Sequence, residues 1–155
     1  MINQKTSKKI LTLGLTAVIL ILAIYFAWTV FSGDEDDTDV DLEDDPDKVT
    51  IYWFWGEDCP ICEDQKDSID RWEDDSDIEV KTFDVYENPE YRGTFQDMAD
   101  VYDVPVANVP ATFIADEYWI GYDEDIRVEM EETIENCMEK EDCTSPGERL
   151  SDSRD

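Results

Sequence analysis

The spacing of apolar positions changes several times along this chain, and each change marks an element. From Ile10 to Phe31 the residues are apolar apart from threonines and one glycine, a run of 22 residues. As a helix it would be about 33 Å long, enough to cross a hydrocarbon core of about 30 Å. Gly33 to Lys48 reverses the pattern, with ten acids, one lysine and almost nothing apolar. Such a composition cannot bury a core and stays extended by self-repulsion. Val49 to Trp55 is then a run of β-branched and aromatic residues that predicts a buried strand. After a short polar turn, Cys59 and Cys62 open a helix that puts Cys62, Ile69 and Trp72 on one face.

Ile78 to Val85 reads as a second strand, leaving through Asp84 to Pro89. Phe95, Met98, Ala99 and Tyr102 fall at i, i+3, i+4 and i+7, which predicts an amphipathic helix from Pro89 to Tyr102 that Val104-Pro105 ends. Ala111 to Ala115 and Tyr118 to Tyr122 predict a hairpin around Asp116-Glu117. Asp123 caps a last helix with Glu124 and Asp125 in its first turn and Ile126, Met130, Ile134 and Cys137 as its inward stripe. The order is β-α-β-α-β-β-α. Parallel strands need helical crossovers and the last pair is a hairpin, so the expected fold class is α/β, a mixed sheet with helices on both faces.

The boundaries that follow are a polar N-terminus at 1–9, a membrane anchor at 10–31, an acidic disordered linker at 32–48, a folded domain at 49–143 and a disordered tail at 144–155. Lys5, Lys8 and Lys9 precede the apolar run and acids follow it, which leaves the N-terminus cytoplasmic and the domain outside a single-pass cell-membrane span. A cleaved signal peptide is the alternative, but the run exceeds the usual 7–15 apolar residues and no small-x-small site follows it. Outside the membrane, cysteines meet an oxidising compartment.

Charge narrows the functions further. The formal net charge is −30 with no histidine. Nucleic acid is excluded as a partner because phosphate binding needs clustered Lys and Arg. Serine triads, His-ligated zinc and Cys-His pairs each lack a residue they require. From Val49 to Asp155 there are 32 acids against eight bases, a balance of −24. That balance suits a salt-rich, halophilic setting, where molar salt shortens the screening length to roughly 3 Å. An acidic docking face for a basic partner is the other reading. Weak divalent-cation binding by the linker finds no Gly-centred calcium-loop pattern.

The candidate chemistry is Cys59-Pro60-Ile61-Cys62. Pro60 suits the first helical position, so Cys59 falls at the N-cap and Cys62 one turn inside. Unpaired N–H groups and the positive end of the helix dipole favour a thiolate at Cys59, which marks a redox-active pair. Glu57, Asp58, Glu63 and Asp64 oppose this by repulsion, but they are screened in salt and direct N–H contacts are not. Cys137 and Cys143 cannot share one face of a continuous helix. They are read as a structural disulfide closed by a turn after Glu139, with a buried free Cys137 or a second redox relay as alternatives.

Between Val49 and Cys143 the sequence resembles the thioredoxin-like superfamily. Trp53-Phe54-Trp55-Gly56-Glu57-Asp58-Cys59-Pro60-Ile61-Cys62 looks like that family's strand-to-active-site segment, and Asn108-Val109-Pro110-Ala111-Thr112-Phe113-Ile114 like its cis-proline segment. The resemblance implies a thiol-disulfide oxidoreductase with Cys59 and Cys62 catalytic. Trp55, Pro60, Ile61 and Pro110 would support the site, and Val109 with Pro110 would meet an extended substrate peptide. It implies no cofactor and no metal. The partners are proteins with thiols or disulfides, and a membrane or soluble redox partner that recycles the pair. Two departures matter. Trp53 stands where the family often has a buried acid, and the extra N-terminal strand and helix of full thioredoxins are missing, as in glutaredoxin-sized members. Glutathione use is not implied, because no basic residues are placed to hold its carboxylates. The competing readings are a non-catalytic module of the same fold that binds a peptide or partner, and metal delivery through Cys59 and Cys62.

Overall fold

Five consecutive buried residues, Thr50 to Phe54, form the middle of strand β1 (Val49–Trp55). A strand without polar alternation must be covered on both faces, and this one is. The structure, a computed structural model, describes residues 42–105, 108–140 and 143–154. The expected segments at 1–9 and 10–31 lie outside those residues. Among the described residues no helix is long and apolar enough to cross a membrane.

The sheet has the order β2-β1-β3-β4, with β2 at Ile78–Asp84, β3 at Ala111–Ile114 and β4 at Glu117–Ile120. β1 runs parallel to β2 and antiparallel to β3, and β3 pairs antiparallel with β4. Because side chains alternate along a strand, β1 serves two cores. Ile51 and Trp53 face helices α1 (Pro60–Glu73) and α3 (Glu124–Glu139), packing with Cys62, Ile69, Trp72, Met130 and Ile134. Tyr52 and Phe54 face α2 (Pro89–Val101) and α4 (Pro146–Asp152), packing with Phe95, Met98, Ala99 and Leu150. The second core is largely aromatic, with Phe54 stacked on Phe83 at 4.7 Å and on Phe95 at 4.9 Å.

The hairpin turns one residue earlier than its sequence predicts. Ile114 pairs with Glu117, so Ala115 and Asp116 form the loop, and Ala115 takes a φ of 51°. A non-glycine residue there is disfavoured by its own Cβ. It is held from outside, because the Tyr102 hydroxyl donates to the Ala115 carbonyl. Burial pushes the Tyr102 phenol well above its ordinary pKa.

Two expected disordered segments are ordered where the structure describes them. The tail expected at 144–155 contains α4. Ser145 caps it, its hydroxyl accepting the Glu148 N–H at 3.2 Å, and Pro146 occupies the first turn. Leu150 is 1% exposed. Arg149 lies 4.8 Å from the Tyr102 ring centroid and pairs with Asp116. The linker expected at 32–48 is docked in its described part. Asp44 accepts the Tyr52 hydroxyl at 2.9 Å and the Gly147 N–H at 2.9 Å, and sits 3.0 Å from the Lys81 ammonium. Three donors offset the desolvation of one carboxylate. The approach is so close that a Cβ on Gly147 would lie 2.4 Å from Asp44 Oδ2 and 2.5 Å from the Leu42 carbonyl oxygen. Only glycine fits there.

Candidate functional site

The site forms where β1 ends. Gly56 is buried against Tyr86, and a Cβ at Gly56 would lie 2.4 Å from that ring, so a side chain here would have to displace the tyrosine. Asp58 takes a φ of 59°, a left-handed position that Asp tolerates better than most residues. Cys59 then caps α1, with Pro60 in the first turn.

The Cys62 N–H donates to Cys59 Sγ at 3.2 Å, and Cys59 and Cys62 form a disulfide with their Cα atoms 5.2 Å apart. Cys59 is 8% exposed and Cys62 2%, so the first sulfur is the one a partner reaches. The Val109–Pro110 bond is cis, and Cys59 Sγ lies 3.6 Å from the Val109 carbonyl oxygen. Pro110 is buried, Val109 half-buried and Ile61 exposed. Trp55 is half-buried and stacks on Trp53 at 5.5 Å. Glu57, Asp58, Glu63 and Asp64 are all exposed, forming an acidic rim in water.

One turn along α1 from Cys62, on the same buried face, lies a group of polar residues that sequence reasoning missed. The Trp53 indole N–H donates to Gln65 Oε1 at 3.0 Å, and Gln65 Nε2 donates to the Thr112 hydroxyl at 2.8 Å. Gln65 and Thr112 are fully buried. A signal was present, since Gln65 interrupts the apolar stripe Cys62, Ile69 and Trp72 with a polar side chain. Tyr86 was also missed, and the contact to Gly56 that brings it to the rim spans two separate segments.

Cys137 and Cys143 are a disulfide, with Cys137 buried and Cys143 exposed. They adjoin Lys48, Val49 and Asp77, at the start of β1, whereas Cys59 follows its end. Seven strand residues at about 3.3 Å each put roughly 20 Å between those ends. Thiol-disulfide exchange requires sulfur contact, so the second pair cannot relay electrons to the first within one molecule. The relay alternative is thereby removed. Among the described residues no group of three or more Cys, Asp or Glu is placed to hold a metal ion. Replacing both Cys137 and Cys143 with serine is expected to lower stability by about 2 kcal/mol, read from urea unfolding, with the Cys59 chemistry unchanged.

No protein-family model matches the chain, and no curated protein matches its sequence. Geometry alone therefore defines the class. This is a small α/β domain with a mixed four-stranded sheet and a Cys-x-x-Cys disulfide at a helix N-terminus. That architecture is compatible with a thioredoxin-like fold, and the pair is compatible with redox function.

Proposed function

We propose that the chain is a thioredoxin-like thiol-disulfide oxidoreductase, tethered by residues 10–31 with its domain outside the cell membrane, that exchanges disulfides with exported or membrane proteins. The observation that carries the reading is Cys59 Sγ held at the mouth of α1, beside the backbone of Val109. In the reduced form, the Cys62 N–H that meets Cys59 Sγ stabilises negative charge on that sulfur. Thiolate Cys59 attacks one sulfur of a substrate disulfide, forming a Cys59–substrate bond and expelling the substrate's other sulfur as a thiolate. Cys62 loses its proton and attacks Cys59, releasing the second substrate thiolate and leaving Cys59–Cys62 oxidised. Two electrons pass to the substrate. In reverse, the pair donates a disulfide, and the recycling partner sets the direction.

An extended substrate would meet Val109 and Pro110 on one side of Cys59 and exposed Ile61 on the other. The domain charge of −24 supports work in salt-rich surroundings, where repulsion from the acidic rim is screened. The test is catalysis by the purified full-length chain, reconstituted in bilayers, of dithiothreitol-driven insulin reduction at molar salt. Expected is a rate above the uncatalysed background that depends on Cys59. Background rates together with unreactive Cys59 would overturn the enzyme and leave a binding module.

A further inference from the structure

We infer that Gln65 is a positioning residue that keeps the wall behind the disulfide free of ionisable groups, so that Cys62 exchanges its proton on the solvent side. The inference rests on the oxidoreductase reading and deepens it. Reduction of the disulfide takes two electrons and two protons when both sulfurs end as thiols. One of those protons belongs to Cys62, which is 2% exposed. A buried sulfur needs either a side chain or water to take that proton when Cys62 becomes the attacking group.

The side chains on the inner side are all neutral: Trp53 from β1, Thr112 from β3, Met130 from α3 and Gln65 from α1, with Gln65 Nε2 also 3.8 Å from Met130 Sδ. The amide's two ends are used in opposite senses, its oxygen accepting and its nitrogen donating. A carboxylate in this position would place a charge in a dry pocket. Every titratable group on the elements around the pair is engaged or exposed elsewhere. Glu57, Asp58, Glu63 and Asp64 are in water. On α3, Glu129 accepts the Trp119 indole N–H, and Glu131 pairs with Arg71 and Arg127. Asp84 at the end of β2 accepts the Tyr86 and Glu87 N–H groups. The Tyr122 hydroxyl is bonded to the Ser68 hydroxyl at 2.7 Å. Among the described residues no titratable side chain is offered to Cys62 from the inner side, which leaves its proton the route past Cys59.

The test follows Cys62 attacking a mixed disulfide preformed between Cys59 and a chromogenic aromatic thiol on the full-length chain. Release of the coloured thiolate is timed from pH 5 to pH 9. In the native chain the rate should rise about tenfold per pH unit with one ionisation, that of Cys62 itself. Gln65→Glu should add a second ionisation, raised above the ordinary carboxyl range by burial, and accelerate release about tenfold or more once it deprotonates. Gln65→Leu should change the rate and the tryptophan fluorescence but keep a single ionisation. A second ionisation in the native profile overturns the inference, even if no variant folds. A folded Gln65→Glu whose profile matches the native one overturns it as well. Absence of any release from the native mixed disulfide overturns the oxidoreductase reading instead.

Discussion

Cys62→Ser is expected to leave Cys59 joined to its substrate as a mixed disulfide that survives non-reducing electrophoresis, while Cys59→Ser lowers exchange on the order of a thousandfold or more. The asymmetry comes from position. Cys59 caps the helix and is the more exposed sulfur; Cys62 lies one turn inside at 2% exposure. An external disulfide can reach the first sulfur, and only an internal one can readily be reached by the second. A trapped species in Cys59→Ser rather than in Cys62→Ser would reverse the assignment of roles. Both variants should fold, because serine replaces a single side-chain atom by a smaller one and the main loss is the bond between the two sites. Circular dichroism and unfolding curves check that separately from the chemistry.

Leu150→Ala is expected to destabilise the domain by about 3 kcal/mol, a large part of the 5–15 kcal/mol that holds a typical domain folded. Leu150 is 1% exposed and belongs to the aromatic core over Tyr52, Phe54 and Phe113. It is the main apolar anchor of α4, so its loss also frees the polar contacts around it. Asp44→Ala attacks the same attachment from the other side. It leaves the Tyr52 hydroxyl and the Gly147 N–H without that carboxylate, and should therefore give a similar loss in urea unfolding. Activity per folded molecule should stay unchanged in both, since the attachment and the Cys59 site lie on different sides of the sheet. A Leu150→Ala chain as stable as the native one would mean that α4 contributes nothing to the core.

The sequence by itself determined the elements whose pattern is local. Phe95, Met98, Ala99 and Tyr102 repeat at helical spacing over about two turns, and β1 is an unbroken run of β-branched and aromatic residues, so both are legible in any window of their length. The mouth of α1 was equally legible, because Cys59, Pro60 and Cys62 carry the capping chemistry within four positions. Tertiary structure decided the rest. A helix as short as α4, with Leu150 as its one large apolar side chain, is marginal alone and forms because Asp44, 103 positions away from Gly147, receives its N–H. Gln65 reads as an irregularity in an apolar stripe until Trp53 and Thr112 are brought to its two ends from separate strands. The pairing of Cys137 with Cys143 likewise depended on how the chain turns after α3. Periodicity reports which face of an element is buried. It does not report which distant group meets that face, and buried polar contacts depend on that meeting.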